Sequence, residues 1–248
     1  MKTIILISLL WSGLTYAEQF CVAHRGDNRH YLENSMEAII GAIDSGVKGI
    51  EFDIRHTQDG VAILNHDETL ARVVKKHTCN LKRKLKKYFY KDLKDCVLKN
   101  GETISTFEDV LDYTSNFNRY LFIELKDAPV MNDIELLDQY YGGKENQIFI
   151  ISFNASYLDK FKMLAKQREV MSNVKVIRLM RFYDKKKDRF DGVDVSYAFS
   201  WRLKDKNKIT GVWTKDHSLQ MKWYFKQGVN FVTTNDPAKC QKVLESIK

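Results

Sequence analysis

Short apolar runs separated by helical stretches recur along almost the whole chain, and this alternation restricts the fold more than any other feature. Runs at 20–24, 49–55, 61–65, 120–125, 147–152, 174–180, 192–196, 209–213 and 229–233 read as strands. Strands that alternate with helical patterns form βαβ units, and such units build a parallel sheet. Nine segments are one more than a closed eight-stranded barrel needs, and 192–196 is the one to set aside. The expected fold is an α/β (β/α)8 TIM barrel with a small insertion after the third strand, over about 68–103. Barrels commonly reach the length of this chain, 248 residues, as a single unit. It has only two prolines and no Gly/Ser-rich linker, and its 44% of hydrophobic residues can bury a sizeable core.

Helix starts are well marked. Asn34 precedes Glu37 by three, Thr106 precedes Asp109 by three, and Asp236 precedes Pro237. The first two read as capping-box variants, and the third as a cap with proline in the first helical position. After Asn34, the stripe Met36, Ile39, Ile40 and Ile43 is expected to face the barrel.

The first 17 residues are expected to lie outside the fold. Lys2 supplies a positive start, Ile4 to Leu14 is an apolar run, and Thr15-Tyr16-Ala17 ends in small residues at the right offsets. That is the pattern of a secretory signal peptide cleaved after Ala17, which leaves 18–248 as the barrel domain. A membrane anchor is the competing reading, but the run falls short of the roughly 20 residues that a spanning helix needs. Cys21 follows Glu18-Gln19-Phe20, which does not look like a lipoprotein attachment site. The mature protein is expected to be soluble and secreted or periplasmic.

Export changes how the four cysteines read. None lies in a C-x-x-C pair, so zinc is not indicated, and an oxidising compartment favours disulfides. Three pairings exist. Cys79 and Cys96 bracket one short basic segment, and pairing them leaves Cys21 with Cys240. A barrel brings its first strand beside its last strand and helix, so that second bond is geometrically reasonable. Free buried thiols remain the other reading.

The formal charge is +8, and much of the excess lies within 75–94, where Lys82, Arg83, Lys84, Lys86 and Lys87 crowd around Tyr88, Phe89 and Tyr90. Such a segment is either a peripheral contact for an anionic membrane or a solvated insertion. It looks hydrophilic, with little core of its own, so a Cys79–Cys96 bond would be what orders it. Nothing resembles a nucleic-acid-binding module, and no nucleic-acid partner is expected.

The chemistry sits at strand ends, which in a barrel form the catalytic face. Glu51 and Asp53 are two apart on a strand and so point to one side, while Ile50, Phe52 and Ile54 take the other. Two carboxylates in a barrel mouth repel each other and need a counter-charge. One divalent cation bound by oxygen, Mg²⁺ or Ca²⁺, supplies it. Glu124 and Lys126 repeat the spacing, giving a third metal ligand and a fixed positive charge for an anionic substrate. A structural Glu–Lys ion-pair network is the bland alternative. His24 and His66 end the first and third strands, and imidazoles beside carboxylates suit a general base and a general acid. Arg25 can hold a phosphate bidentately. A metal, an arginine, a lysine and two histidines together describe phosphate-ester cleavage.

In order and spacing, these motifs resemble the glycerophosphodiester phosphodiesterase family, within the PLC-like phosphodiesterase superfamily. The resemblance rests on His24-Arg25-Gly26 with Glu33-Asn34, and on Ile50-Glu51-Phe52-Asp53 with Thr57, Asp59 and Gly60. It continues through His66-Asp67 with Leu70 and Arg72, Ile123-Glu124-Leu125-Lys126, Ser152-Phe153, Val212-Trp213-Thr214 and Thr234-Asn235-Asp236-Pro237. It spans about 20–240 apart from the basic insertion. It implies His24 and His66 as the acid/base pair, and Glu51, Asp53 and Glu124 as metal ligands. It also implies Arg25 and Lys126 on phosphate, and Trp213 lining the pocket. It further implies a small-molecule glycerophosphodiester substrate whose glycerol hydroxyl attacks phosphorus, giving a cyclic phosphate that water opens to glycerol phosphate. Ser35 departs from the usual threonine after Glu-Asn, and the cationic insertion lies outside the pattern. Two other readings compete: a phospholipase D-like enzyme acting on lysophospholipids or sphingomyelin, and a non-catalytic barrel that binds phosphorylated ligands.

Overall fold

Eight parallel strands close on themselves, and a ninth short strand hangs from one of them. The computed structural model describes residues 18–185, 189–197 and 208–247; the expected signal peptide lies outside the described residues. The strands are β1 Phe20–Ala23, β2 Gly49–His56, β3 Ala62–Leu64, β4 Tyr120–Leu125, β5 Ile148–Ser152, β6 Lys175–Phe182, β7 Gly192–Tyr197, β8 Ile209–Val212 and β9 Phe231–Thr234. Among the described residues six α-helices accompany them: α1 Met36–Asp44, α2 Phe107–Thr114, α3 Met131–Tyr141, α4 Ala155–Ala165, α5 Ser218–Lys226 and α6 Pro237–Glu245. The sheet runs β1-β9-β8-β7-β6-β5-β4-β2, and β1–β2 pairing closes it into a (β/α)8 TIM barrel.

Two expectations about the strands need correction. Gly192–Tyr197 is a full barrel strand, hydrogen-bonded in parallel to both β6 and β8. The extra segment is instead β3, which runs antiparallel to β2 and pairs with it alone among the strands, Leu64 opposite Ile54 and Ala62 opposite His56. A run of three apolar residues cannot signal its direction. The antiparallel return has a functional consequence: it brings the chain back to Asp53, whose carbonyl accepts from Asn65 N–H.

Inward-facing residues fill the lower barrel. Phe20, Val22, Phe122, Phe149, Ile177 and Phe231 make one buried cluster, with Phe122 flat on Phe149 at 4.5 Å between centroids. Gly211 admits the Phe231 ring, because a Cβ there would lie 2.1 Å from it. The alternate residues of the same strands, among them Ile50, Phe52, Ile54, Leu121 and Ile123, face the helices in the larger outer core. In α1 the buried face is Ala38, Ile39, Ala42 and Ile43. Met36 packs against that core, but Ile40 turns partly to solvent. Ser35 caps α1, accepting from Ala38 N–H, so Asn34 is not the cap. The Thr106–Asp109 capping box and the Asp236 cap ahead of Pro237 both form.

The insertion also corrects an expectation, since it has a core of its own. Leu70, Val73, Val74, Leu85, Tyr88, Leu93, Leu98 and Ile104 bury together over Ile63 of β3. Cys79–Cys96 staples its edge, and Cys21–Cys240 ties β1 to α6, with Cα–Cα separations of 5.5 and 6.0 Å. The five cations at 82–84 and 86–87 stay exposed. One of them, Arg83, lies over the Tyr88 ring.

Candidate active site

Three carboxylates meet at the C-terminal mouth. Glu51 and Asp53 project from β2 and Glu124 from β4; all are buried, and one oxygen of each lies within 4.8 Å of the others. The surrounding chain offsets their repulsion. Arg25 has φ +57°, and its N–H donates to Glu51 Oε2 at 2.7 Å. The Arg25 guanidinium reaches Asp53 at 3.2 Å and Glu33 at 3.0 Å. Next to it, Gly26 is required: φ is +76°, and a Cβ would strike the Ala38 backbone at 2.5 Å. Asn34, also at positive φ, turns its amide onto Asp53, donating to Oδ2 at 2.8 Å and accepting the backbone N–H at 3.0 Å. Lys126 Nζ bridges Asp53 at 3.1 Å and Glu124 at 2.6 Å.

Three negative charges against two positive ones leave the cluster short of a cation. Burial, with the charges of Asp53 and Glu124, holds the Glu51 carboxyl well above the usual range. Burial and Asp53 push Glu124 up to about 7. Burial also works against ionisation of Asp53, but Lys126 and Arg25 outweigh it and hold that carboxyl low. Glu51 Oε1 is buried without a hydrogen-bond partner. An orphaned carboxylate oxygen in an all-oxygen cluster fits a hard divalent cation.

The histidines flank this cluster. His24 Nδ1 meets Asn235 Oδ1 at 2.7 Å, and the Asn235 amide donates to Asp216 at 2.8 Å. Burial and the Arg25 charge push His24 down to about 4, so it is neutral near pH 7. With its Nδ1 proton given to Asn235, Nε2 is left as an acceptor. His66 Nδ1 meets Asp67 at 2.7 Å, and Arg72 holds Asp67 at 2.7 Å and contacts Glu33. Behind Lys126 a second cluster fixes the chain. His56 lies between Asp127 at 2.5 Å and Asp133 at 3.0 Å. Burial lowers its affinity for a proton, yet the two carboxylates prevail and raise it to about 10.

His24, Arg25, Glu51, His66, Glu124 and Lys126 line one side of a cavity of about 300 Å³. Ile151, Phe153, Leu179, Arg181, Asp194, Trp213 and Thr233 line the other. Asp53 sits beneath, fully buried. Every site residue named from sequence thus falls in or under one cavity. Sequence reading missed Asp194, Arg181, the Asp216–Asn235 support of His24 and the His56 cluster. Asp216 and Asn235 had a signal: Asn235 is part of the quoted Thr234–Pro237 motif, and Asp216 lies two residues past Val212-Trp213-Thr214. Asp194 had none: its strand was the one set aside.

The glycerophosphoryl diester phosphodiesterase family model matches residues 24–239. A glycerophosphodiester phosphodiesterase of Bacillus altitudinis is 27% identical over 245 residues, covering 91% of this chain and 98% of its own length. One from Caldanaerobacter subterraneus subsp. tengcongensis is 27% identical over 241 residues, covering 87% and 93%. Among solved structures, a phosphodiesterase of Oleispira antarctica in complex with the product sn-glycerol-3-phosphate superposes with a TM-score of 0.78. It shows 20% identity over 93% of this chain and 98% of its own. A glycerophosphodiester phosphodiesterase from Parabacteroides distasonis gives a TM-score of 0.76 at 24% identity, covering 93% and 98%.

Proposed function

The chain belongs to the glycerophosphoryl diester phosphodiesterase family and is a glycerophosphodiester phosphodiesterase; we propose that it is exported, needs one divalent cation, and acts by paired histidine acid/base catalysis through a cyclic phosphate. The observation that carries this reading is the orphaned, buried Glu51 Oε1 within the three-carboxylate cluster, between the two histidines.

Glu51, Asp53 and Glu124 would hold the cation, Mg²⁺ or Ca²⁺, which supplies charge stabilisation to the phosphoryl oxygens and acidifies a nearby hydroxyl. Arg25 and Lys126 bind the phosphodiester anion and neutralise charge as it builds on phosphorus. His24 Nε2 takes the proton from the substrate's glycerol hydroxyl, and that oxygen attacks phosphorus. His66 gives a proton to the departing alkoxide, so the P–O bond to the alcohol breaks as the cyclic phosphate forms. Water then opens the ring with the two proton roles exchanged, releasing glycerol phosphate. Asp216 and Asn235 keep His24 in one tautomer, and Trp213 closes the pocket's far side.

Purified protein assayed on water-soluble glycerophosphodiesters tests this directly. Glycerol phosphate should form, chelator should abolish turnover, and a cyclic phosphate should be trappable; activity untouched by chelator would overturn the cation. Ligand binding without turnover would favour the non-catalytic barrel. Export is supported by the two disulfides and the signal-like first 17 residues. Secreted protein should begin at Glu18.

One feature favours action on lysophospholipids. Phe153, Phe182 and Tyr197 are 41, 69 and 61% exposed at the ends of β5, β6 and β7, and Phe182 stacks on Tyr197 at 5.3 Å. This aromatic rim suits the interface of a lipid surface, and the cations of 75–94 add the positive charge that an anionic one attracts. Release of cyclic phosphate from lysolipid vesicles, faster than from soluble diesters, would select this reading.

A further inference from the structure

One carboxyl in the cavity has no task in the chemistry above. Asp194 projects from β7 into the barrel and is 2% exposed. Register sets it beside Leu179 of β6 and Gly211 of β8, so neither strand neighbour brings it a polar side chain; burial and the Glu124 charge hold its carboxyl well above the usual range. Its Oδ1 is buried and accepts no hydrogen bond. Lys215 lies near enough to act on its charge, yet commits Nζ to the Ser196 carbonyl at 2.6 Å. The Trp213 indole N–H donates to the Asp194 carbonyl at 3.2 Å, which fixes both residues in relation to each other.

A buried acceptor without a donor is destabilising and is not kept by packing, since a leucine would fill the same apolar floor. It becomes satisfied when a ligand brings a donor. We propose that Asp194 is a specificity-determining residue whose carboxyl accepts a hydrogen bond from a substrate polyol hydroxyl, the one that does not attack phosphorus. This rests on the glycerophosphodiesterase reading and deepens it by naming what the far wall recognises. A neutral hydroxyl fits better than a cationic head group. Arg25, Lys126 and Arg181 line the same cavity, and a quaternary ammonium needs several aromatic faces, where this wall offers Trp213 with Phe153 edge-on to it.

Sites that hydrogen-bond a hydroxyl reject the analogue that lacks it, because their own polar group is then stranded. The test therefore compares a glycerol phosphodiester with its propane-1,2-diol counterpart, which keeps the attacking hydroxyl and loses only the terminal one. Both carry the same leaving alcohol. Wild-type protein should prefer the glycerol diester by about 100-fold or more in kcat/KM. Asp194→Leu should erase most of that preference, losing far more on glycerol than on the deoxy substrate. Asp194→Asn, which keeps an acceptor oxygen, should restore much of it. Calorimetric binding of glycerol 3-phosphate and of propanediol 1-phosphate makes the same comparison without turnover. A wild-type protein that hydrolyses no glycerophosphodiester would thus overturn the proposed activity, while leaving the Asp194 assignment to be judged on binding.

Equal losses on both substrates, or a wild type indifferent to the missing hydroxyl, would overturn the assignment. So would losses that follow a choline or ethanolamine leaving group, which would make the floor a cation subsite. Melting of Asp194→Leu at or above the wild-type temperature would confirm that the carboxyl is not there for stability. A large drop in melting temperature with unchanged substrate preference would overturn the proposal.

Discussion

The two walls of the cavity are built on opposite plans. On the β1, β2 and β4 side, charged groups are tied to one another: Asp53 alone meets Arg25, Asn34 and Lys126. On the β5 to β8 side, Ile151, Leu179, Phe153 and Trp213 make a mostly apolar surface, with Phe153 edge-on to Trp213 at 5.3 Å. The first wall is organised before substrate arrives, as electrostatic stabilisation of a charged transition state requires. Its orphaned oxygen, Glu51 Oε1, lies among the carboxylates where a cation would sit, whereas the second wall's, Asp194 Oδ1, lies apart from the carboxylate cluster. Chemistry is held rigid on one side, and recognition is left to be completed on the other.

The sharpest way to break this contrast is to dismantle the charged wall. Glu51→Ala, Asp53→Ala and Glu124→Ala should each abolish cation binding and activity together. Activity should fall to below about 1% of wild type, since even partners of metal ligands matter by 10–100-fold. Calorimetry with Mg²⁺ and Ca²⁺, run beside the diester assay, reads both. Glu51→Ala should fold well because it relieves repulsion, and a variant that binds no cation yet turns over normally would end the metal reading.

Next in size, His24→Ala and His66→Ala should keep the cation and lose about 10²–10⁴-fold in rate each. Their effects should be far from additive, because both serve one reaction. A double mutant whose loss equals the product of the two single losses would argue against paired roles.

Smaller still is the contribution of His56 behind the charged wall. Its folded pKa is raised to about 10 from the usual 6.5, so the stability it adds is complete below pH 6.5 and disappears as pH rises through 10. The effect is on the order of 2–4 kcal/mol. Melting curves across that range should show wild type declining more steeply than His56→Gln. Parallel curves would mean that Asp127 and Asp133 do not bind the protonated form.

The least expected effect on soluble substrate lies outside both walls. Neutralising Lys82, Arg83, Lys84, Lys86 and Lys87 should weaken binding to anionic vesicles and its salt dependence, while hydrolysis of soluble diesters hardly changes. Unaltered vesicle binding would leave the segment as a solvated surface. Reducing Cys79–Cys96 removes a cross-link over 17 residues, worth about 3 kcal/mol. With Leu70, Val74, Leu85 and Leu98 buried beneath it, the insertion should loosen without detaching.

The charged wall was legible in sequence because its residues sit at fixed offsets on strands. Glu51 with Asp53, and Glu124 with Lys126, need only period-two geometry to share a face. The far wall was legible only in part: Phe153 and Trp213 lie in quoted motifs, but Asp194 lies in the segment that was set aside. What faces it across the cavity is set by barrel closure and not by local sequence. The direction of β3 was hidden for a related reason: Ala62–Leu64 is apolar in either orientation, and only pairing with β2 decides it. Asn34 looked like a cap because its spacing to Glu37 fits one. The positive φ that turns it onto Asp53 leaves that job to Ser35. The insertion's core escaped notice because its apolar residues are scattered among lysines, with neither a helical nor a strand period.

The bond between Cys21 and Cys240 also changes what the ends of this chain can do. It spans 219 residues and lies where the first strand meets the last, the seam at which a barrel opens when pulled. Tension on the two ends would load sulfur rather than the β1–β9 hydrogen bonds. The chain could then lengthen only by residues outside the ring that this bond closes, at about 3.5 Å apiece. A protease cutting a loop between the two cysteines would open a ring instead of releasing a fragment. Mechanically, the catalytic barrel behaves as a closed hoop.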